Sequence, residues 1–261
     1  IWMDTTKGTI KIEDVVVVNN GTGPGISISN HNGAIILNRV KADGNPNGGA
    51  WLENLAGTAG VTITNSSFDD NDISSLMSLQ GLTITTNGSV LIDGVSVSRT
   101  TGATWPALYI YQSGTLTVKN SLFNDNDFFG LANNLPASLT AAITLQNVYA
   151  AGNAAGFHLQ AKGNVSLTAV HADENTSKGA EIDTCNEDSG ACFSLGSGKV
   201  TIKDSTFDGN GSSLYSLWVQ SRGAITLTNV SASGTTNAGA NPDGAQLDNH
   251  YSQLVNPVTI T

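Results

Sequence analysis

Three stretches decide the fold: Val61-Thr62-Ile63-Thr64-Asn65-Ser66-Ser67-Phe68-Asp69-Asp70-Asn71, Leu116-Thr117-Val118-Lys119-Asn120-Ser121-Leu122-Phe123-Asn124-Asp125-Asn126 and Val200-Thr201-Ile202-Lys203-Asp204-Ser205-Thr206-Phe207-Asp208-Gly209-Asn210. Each opens with alternating apolar and polar residues, the mark of a strand with one buried face. Each then places Phe seven residues after the first apolar anchor and Asn ten after it. Working outward, anchors fall at Ile10, Ile35, Val61, Val90, Leu116, Ile143, Val165, Val200, Ile225 and Val258, at intervals of 22 to 35 residues. A second apolar residue follows two positions after every anchor, from Ile12 to Ile260. Asn20, Asn45, Asn71, Asn126, Asn153, Asn175 and Asn210 stand ten residues after their anchors, with Thr100 and Thr235 replacing Asn in the other coils.

A third signal keeps the same step. Gly25-Ile26-Ser27-Ile28, Gly49-Ala50-Trp51-Leu52, Gly81-Leu82-Thr83-Ile84, Gly156-Phe157-His158-Leu159 and Gly179-Ala180-Glu181-Ile182 each start a second short strand. Three ladders in one order predict stacked repeats, because an antiparallel sandwich has no reason to repeat a residue order through every unit. Parallel strands within one sheet call for right-handed crossovers. The sequence therefore predicts an all-β, right-handed parallel β-helix of about nine coils, occupying residues 1–261 as one domain. The Phe/Ala-x-x-Asn segment after the first strand is a candidate further strand. The start close to a strand and the stop within Val258-Thr259-Ile260-Thr261 suggest open ends. They point to a segment of a longer protein or to end-to-end self-association.

Composition narrows the function. Across 261 residues the net charge is −10, from 21 acidic and 11 basic residues. With no basic stripe to release counterions, nucleic acid is not expected as a partner. The longest aliphatic run, Val15 to Val18, is far too short for membrane insertion. Cys185 and Cys192 enclose a polar, turn-forming stretch. Two thiols cannot complete a zinc site, so a local disulfide and an extracellular or cell-surface location are expected.

Two sets of side chains are candidate sites. The outward residues of the second strand include Trp51, Tyr109, Tyr111, His158 and Trp218, with Glu53, Gln160, Glu181, Asp183 and Gln220 beside them. Aromatic faces suit sugars or a protein surface. The acidic turns carry Asp70, Asp72, Asp125 and Asp127, oxygen ligands of the type Ca²⁺ takes. In the intervening coil Arg99 occupies the matching turn and is predicted to bridge Asp69 or Asp70 to Asp125. The Thr-rich first strand (Thr62, Thr117, Thr144, Thr201, Thr226) is a further flat wall.

Gly-Gly-Ala-Trp at 48–51, paired with Phe-x-x-Asn at 68–71, 123–126 and 207–210, resembles the repeats of chlamydial polymorphic outer-membrane proteins. The wider resemblance is to the pectate-lyase-like β-helix superfamily. It implies a surface-exposed β-helix, with adhesion as the commonest role. Glycoside hydrolysis in that superfamily goes with paired Asp, Gly-His-Gly and Arg-Ile-Lys, and a lyase with a basic residue beside a calcium site. Here Asp69-Asp70 is present and the other two motifs are absent. The expectation is a non-catalytic adhesin or stalk that binds a glycan or protein through a side wall, without a required cofactor. A carbohydrate-active enzyme and a stacking filament subunit are the alternatives.

Overall fold

A computed structural model describes residues 1–4, 7–21, 23–29, 31–72, 80–102, 105–112, 114–133, 141–185, 198–211, 215–234, 243–249 and 257–261. The alternating segments form two ten-stranded parallel sheets, and strands adjacent in one sheet are never consecutive in sequence. One sheet contains β1 (Trp2–Asp4), β3 (Ile26–Ser29), β5 (Ala50–Asn54), β7 (Leu82–Thr86) and β9 (Leu108–Gln112). It continues with β11 (Phe129–Asn133), β13 (Ala155–Gln160), β15 (Ala180–Asp183), β17 (Tyr215–Gln220) and β19 (Asp243–Asp248). The other contains β2 (Ile10–Val16), β4 (Ile35–Lys41), β6 (Val61–Thr64), β8 (Val90–Asp93) and β10 (Thr115–Leu122). It ends with β12 (Ala142–Tyr149), β14 (Val165–His171), β16 (Val200–Asn210), β18 (Ile225–Gly234) and β20 (Val258–Ile260). Each coil thus donates one strand to each sheet. Among the described residues no helix is long and apolar enough to cross a membrane.

The register is the one the anchors predict. Ile35 pairs with Val61, Val61 with Val90, Val90 with Leu116, Leu116 with Ile143 and Ile143 with Val165. Inward residues from both sheets, among them Ile26, Leu37, Ile63, Ile84, Val118, Leu145, Leu167 and Val219, are wholly buried in one continuous core. Burial of each such side chain stabilises the fold by about 1.5–3 kcal/mol relative to leaving it exposed. The Phe/Ala column is buried with them: Phe68, Phe123 and Phe207 share it with Ala42, Val97, Ala150 and Ala172. Among the described residues the segment carrying that column forms no third sheet. It continues the even-numbered strands past a corner, or pairs through single bridges such as Ser67 with Ser96.

The Asn ladder runs inside the coil. The backbone N–H and Nδ2 of Asn126 both donate to Oδ1 of Asn153, at 2.9 and 2.8 Å. Asn153 does the same to Asn175, and Asn175 to Asn210. Each Nδ2 also reaches back one coil to a core-segment carbonyl, as Asn153 does to Phe123 at 2.8 Å. Buried amides are thereby satisfied, which removes the cost of desolvating them.

Candidate functional site

The predicted aromatic residues do share a wall. Pairing across the odd-numbered sheet sets Trp51 against Thr83, Thr83 against Tyr109, Tyr109 against Ala132 and Ala132 against His158. His158 then pairs with Glu181, and Glu181 with Trp218. Outward orientation follows from alternation with buried Leu52, Ile110, Leu159 and Val219.

The wall is not uniformly open. Tyr109, expected at the surface, is only 7% exposed, because neighbouring rings cover it. Trp105 packs 5.9 Å from it on one side and Tyr111, which stays exposed, 6.1 Å on another. Asp183 and Gln220, expected outside, are buried as well. Asp183 is held by the backbone N–H of Cys185 at 2.5 Å. Cys185 is itself buried, and its expected partner Cys192 lies outside the described residues.

Between Tyr109 and His158 the wall carries only Ala132, and this small side chain forms the floor of a depression. Trp105 and Pro106 bound it on one side, and Phe128 and Phe129 on another. His158 and Glu181 complete a cavity of about 310 Å³. Phe128 meets Phe129 edge-on at 4.8 Å, and Phe129 meets the His158 imidazole at 5.7 Å. Four successive coils contribute, so the sheet backbone fixes the walls at the coil spacing of about 4.8 Å. Trp105, Phe128 and Phe129 were not among the residues singled out from sequence. They sit in or beside turns, where no ladder marks them, and the Phe128-Phe129 pair before Gly130 was the available signal.

One edge of the cavity is charged. Glu181 receives Lys178 Nζ at 2.8 Å and lies 3.7 Å from His158 Nδ1. Burial alone would raise the Glu181 pKa, but the contacts from His158 and Lys178 outweigh it and hold the carboxyl at about 2. Lys178 also lies 5.6 Å from the centre of the Trp218 ring, a cation–π distance. The carboxylate, the imidazole, the ammonium and the indole form one connected group.

The acidic turns do something else. Asp69 Oδ1 accepts the backbone N–H of Ser98 at 2.9 Å, and Asp43 Oδ1 accepts that of Asp69 at 2.9 Å. Asn124 and Asp173 accept the N–H of Ala151 and Asp208 in the same manner. These side chains tie the corner of each coil to the next. Arg99 grips Asp70 through Nε and Nη2 at 2.6 and 2.9 Å and approaches Asp69 at 3.8 Å. It makes no ion pair with Asp125, so only half of the predicted bridge forms. The Asp127 carboxylate accepts the Gly102 N–H, and Asp72 pairs through its backbone with Thr101. Among the described residues no three His, Cys, Asp or Glu side chains converge on a metal position.

A larger groove of about 470 Å³ runs along the other corner beside Arg39, Lys41, Ser67 and Ser96. It has no aromatic wall, and its cations are already neutralised, Arg39 by Asp14 and Lys41 by Asp43. The Thr wall is interrupted in register by Lys11, Ile36 and Leu91.

Two interleaved parallel sheets that share one core agree with a family match to the right-handed β-helix region, at residues 1–179 and 80–250. The chain belongs to the right-handed β-helix family. No curated protein and no solved structure matches it significantly. Within the β-helix family the crossovers are right-handed, which fixes the hand of the coil described here.

Proposed function

We propose that this chain is an extracellular, non-catalytic β-helix whose side wall binds glycan at the Trp105–Phe129–His158 cavity. One observation carries the reading: rigid aromatic rings surround a small-residue floor, with a paired carboxylate at the edge. Apolar ring faces stack on the C–H faces of sugars, while Glu181 and His158 offer partners for hydroxyls. The adhesins that the Gly-Gly-Ala and Phe-x-x-Asn repeats resemble would use such a wall for attachment.

The state of Glu181 speaks against one catalytic role, that of general acid. Glycoside hydrolysis needs a carboxylic acid that keeps its proton near neutral pH. With its pKa at about 2, Glu181 is ionised there and engaged by Lys178, so it is a poor proton donor. The test is glycan-array binding followed by calorimetry with Phe129→Ala and Trp105→Ala. Each variant should weaken the best ligand roughly three- to tenfold, the worth of one aromatic contact. No reducing ends should be released on prolonged incubation. Release that Glu181→Gln abolishes would instead establish the enzyme reading.

A further inference from the structure

The wall has a second periodicity that the cavity alone does not explain. Along the register of the odd-numbered sheet, an aromatic ring occurs at every second coil: Trp2, Trp51, Tyr109, His158 and Trp218. The coils between them carry Ser27, Thr83, Ala132 and Glu181, all small or polar. At the Tyr109 position the exposed rings are Trp105 and Tyr111, which pack against it.

With coils rising about 4.8 Å, rings recur about every 9.6 Å along the axis. An extended β-1,4-linked pyranose chain advances by close to one coil per sugar and turns over at each linkage. Equivalent faces therefore return at every second sugar, which is the spacing of the rings. An α-1,4-linked chain coils away from a straight wall and cannot hold that register. We infer that the wall binds a linear β-1,4-linked glycan laid along the helix axis, one ring stacked on each aromatic rung. The inference rests on the glycan reading above and adds the linkage, the direction and the length. Small side chains at the alternate rungs leave room for the sugars that do not stack. Glu181, the one charged alternate rung, faces the hydroxyls of the sugar between His158 and Trp218. From Trp2 to Trp218 the column passes eight coil steps, so a chain of about nine sugars covers it.

The test is calorimetry with cello-, manno- and chito-oligosaccharides of two to ten units, against malto- and laminari-oligosaccharides. At least one β-1,4 series should gain affinity with length and level off near nine units. Trp51→Ala and Trp218→Ala should each weaken the longest ligand roughly three- to tenfold and leave the disaccharide unchanged. An unchanged thermal midpoint shows that either variant remains folded. Equal binding of malto-oligosaccharides, or affinity independent of length, overturns the inference while leaving the cavity reading intact. No binding of any sugar overturns both.

Discussion

Single side chains show where the coil is strained and where it is incomplete. Two positions in each turn take left-handed backbone. The first is held by Asp14, Arg39, Asn65, Asn120, Asn147, Ala169, Asp204 and Asn229, the second by Asn19, Asp70, Arg99, Asp125 and Glu174. Asn, Asp and Gly tolerate this region, whereas a β-carbon without local hydrogen bonding does not. Ala169, at φ 51°, is a misfit, as are Arg39, Arg99 and Glu174, and it alone among them has no side chain beyond the β-carbon. Ala169→Gly should raise stability by about 0.5–1 kcal/mol in chemical denaturation, despite the entropy Gly adds to the unfolded chain. Glu181 gives a second prediction. Its folded pKa of about 2 lies below the 4.5 of a free glutamate, so its contribution is complete above about pH 4.5. It disappears as the pH falls from there toward 2, because the unfolded state then binds the proton first. Melting curves should show a loss on the order of 1 kcal/mol across that window, allowing for partial exposure. Glu181→Gln should flatten this part of the profile, and an unaltered profile would contradict the pairing.

Whole strands were the most legible feature of the sequence, for a physical reason. Alternation, the Asn ladder and the Gly signature each repeat because one backbone geometry repeats, so errors at one coil are corrected by its neighbours. Where geometry leaves the repeat, legibility ends. Trp105 and Phe128 belong to turns outside the strands, and the acidic corners serve as acceptors for the next coil's N–H groups. Asp43 and Asp69 look alike as cation ligands or as backbone caps until the donor above them is placed. Tyr109 lies on the face that alternation predicts, yet covering rings bury it, a tertiary effect absent from period-two alternation. The Gly signature also has a packing cause. A β-carbon on Gly179 would sit 2.6 Å from Asn210 Nδ2 and 2.7 Å from the Ala172 carbonyl. Gly179→Ala should therefore cost about 1–3 kcal/mol, read as a lower denaturation midpoint with an unchanged slope.

At the scale of the molecule, stability in a solenoid is close to a sum over coils and the interfaces between them. The buried ladder strengthens those interfaces unevenly. It runs unbroken from Asn126 through Asn153 and Asn175 to Asn210, and separately joins Asn45 to Asn71. Between Asn71 and Asn126 stands Thr100, whose buried hydroxyl has no hydrogen-bond partner. Gly81 lies against Thr100 as Gly49 lies against Asn71, so the backbone already leaves the space an Asn uses elsewhere. The interface there lacks the buried amide rung, and its side-chain ties are the outer ones, Asp69 to the Ser98 N–H and Arg99 to Asp70. Amides in β2, β4 and β6 should accordingly open at lower free energy than those in β10, β12 and β14, two groups rather than one gradient. Native-state hydrogen exchange measures this, and uniform protection across Thr100 would refute it. Thr100→Asn should supply the missing acceptor, add about 0.5–1.5 kcal/mol and bring the two groups together. A gain in stability that left them separate would place the division in some feature other than the ladder.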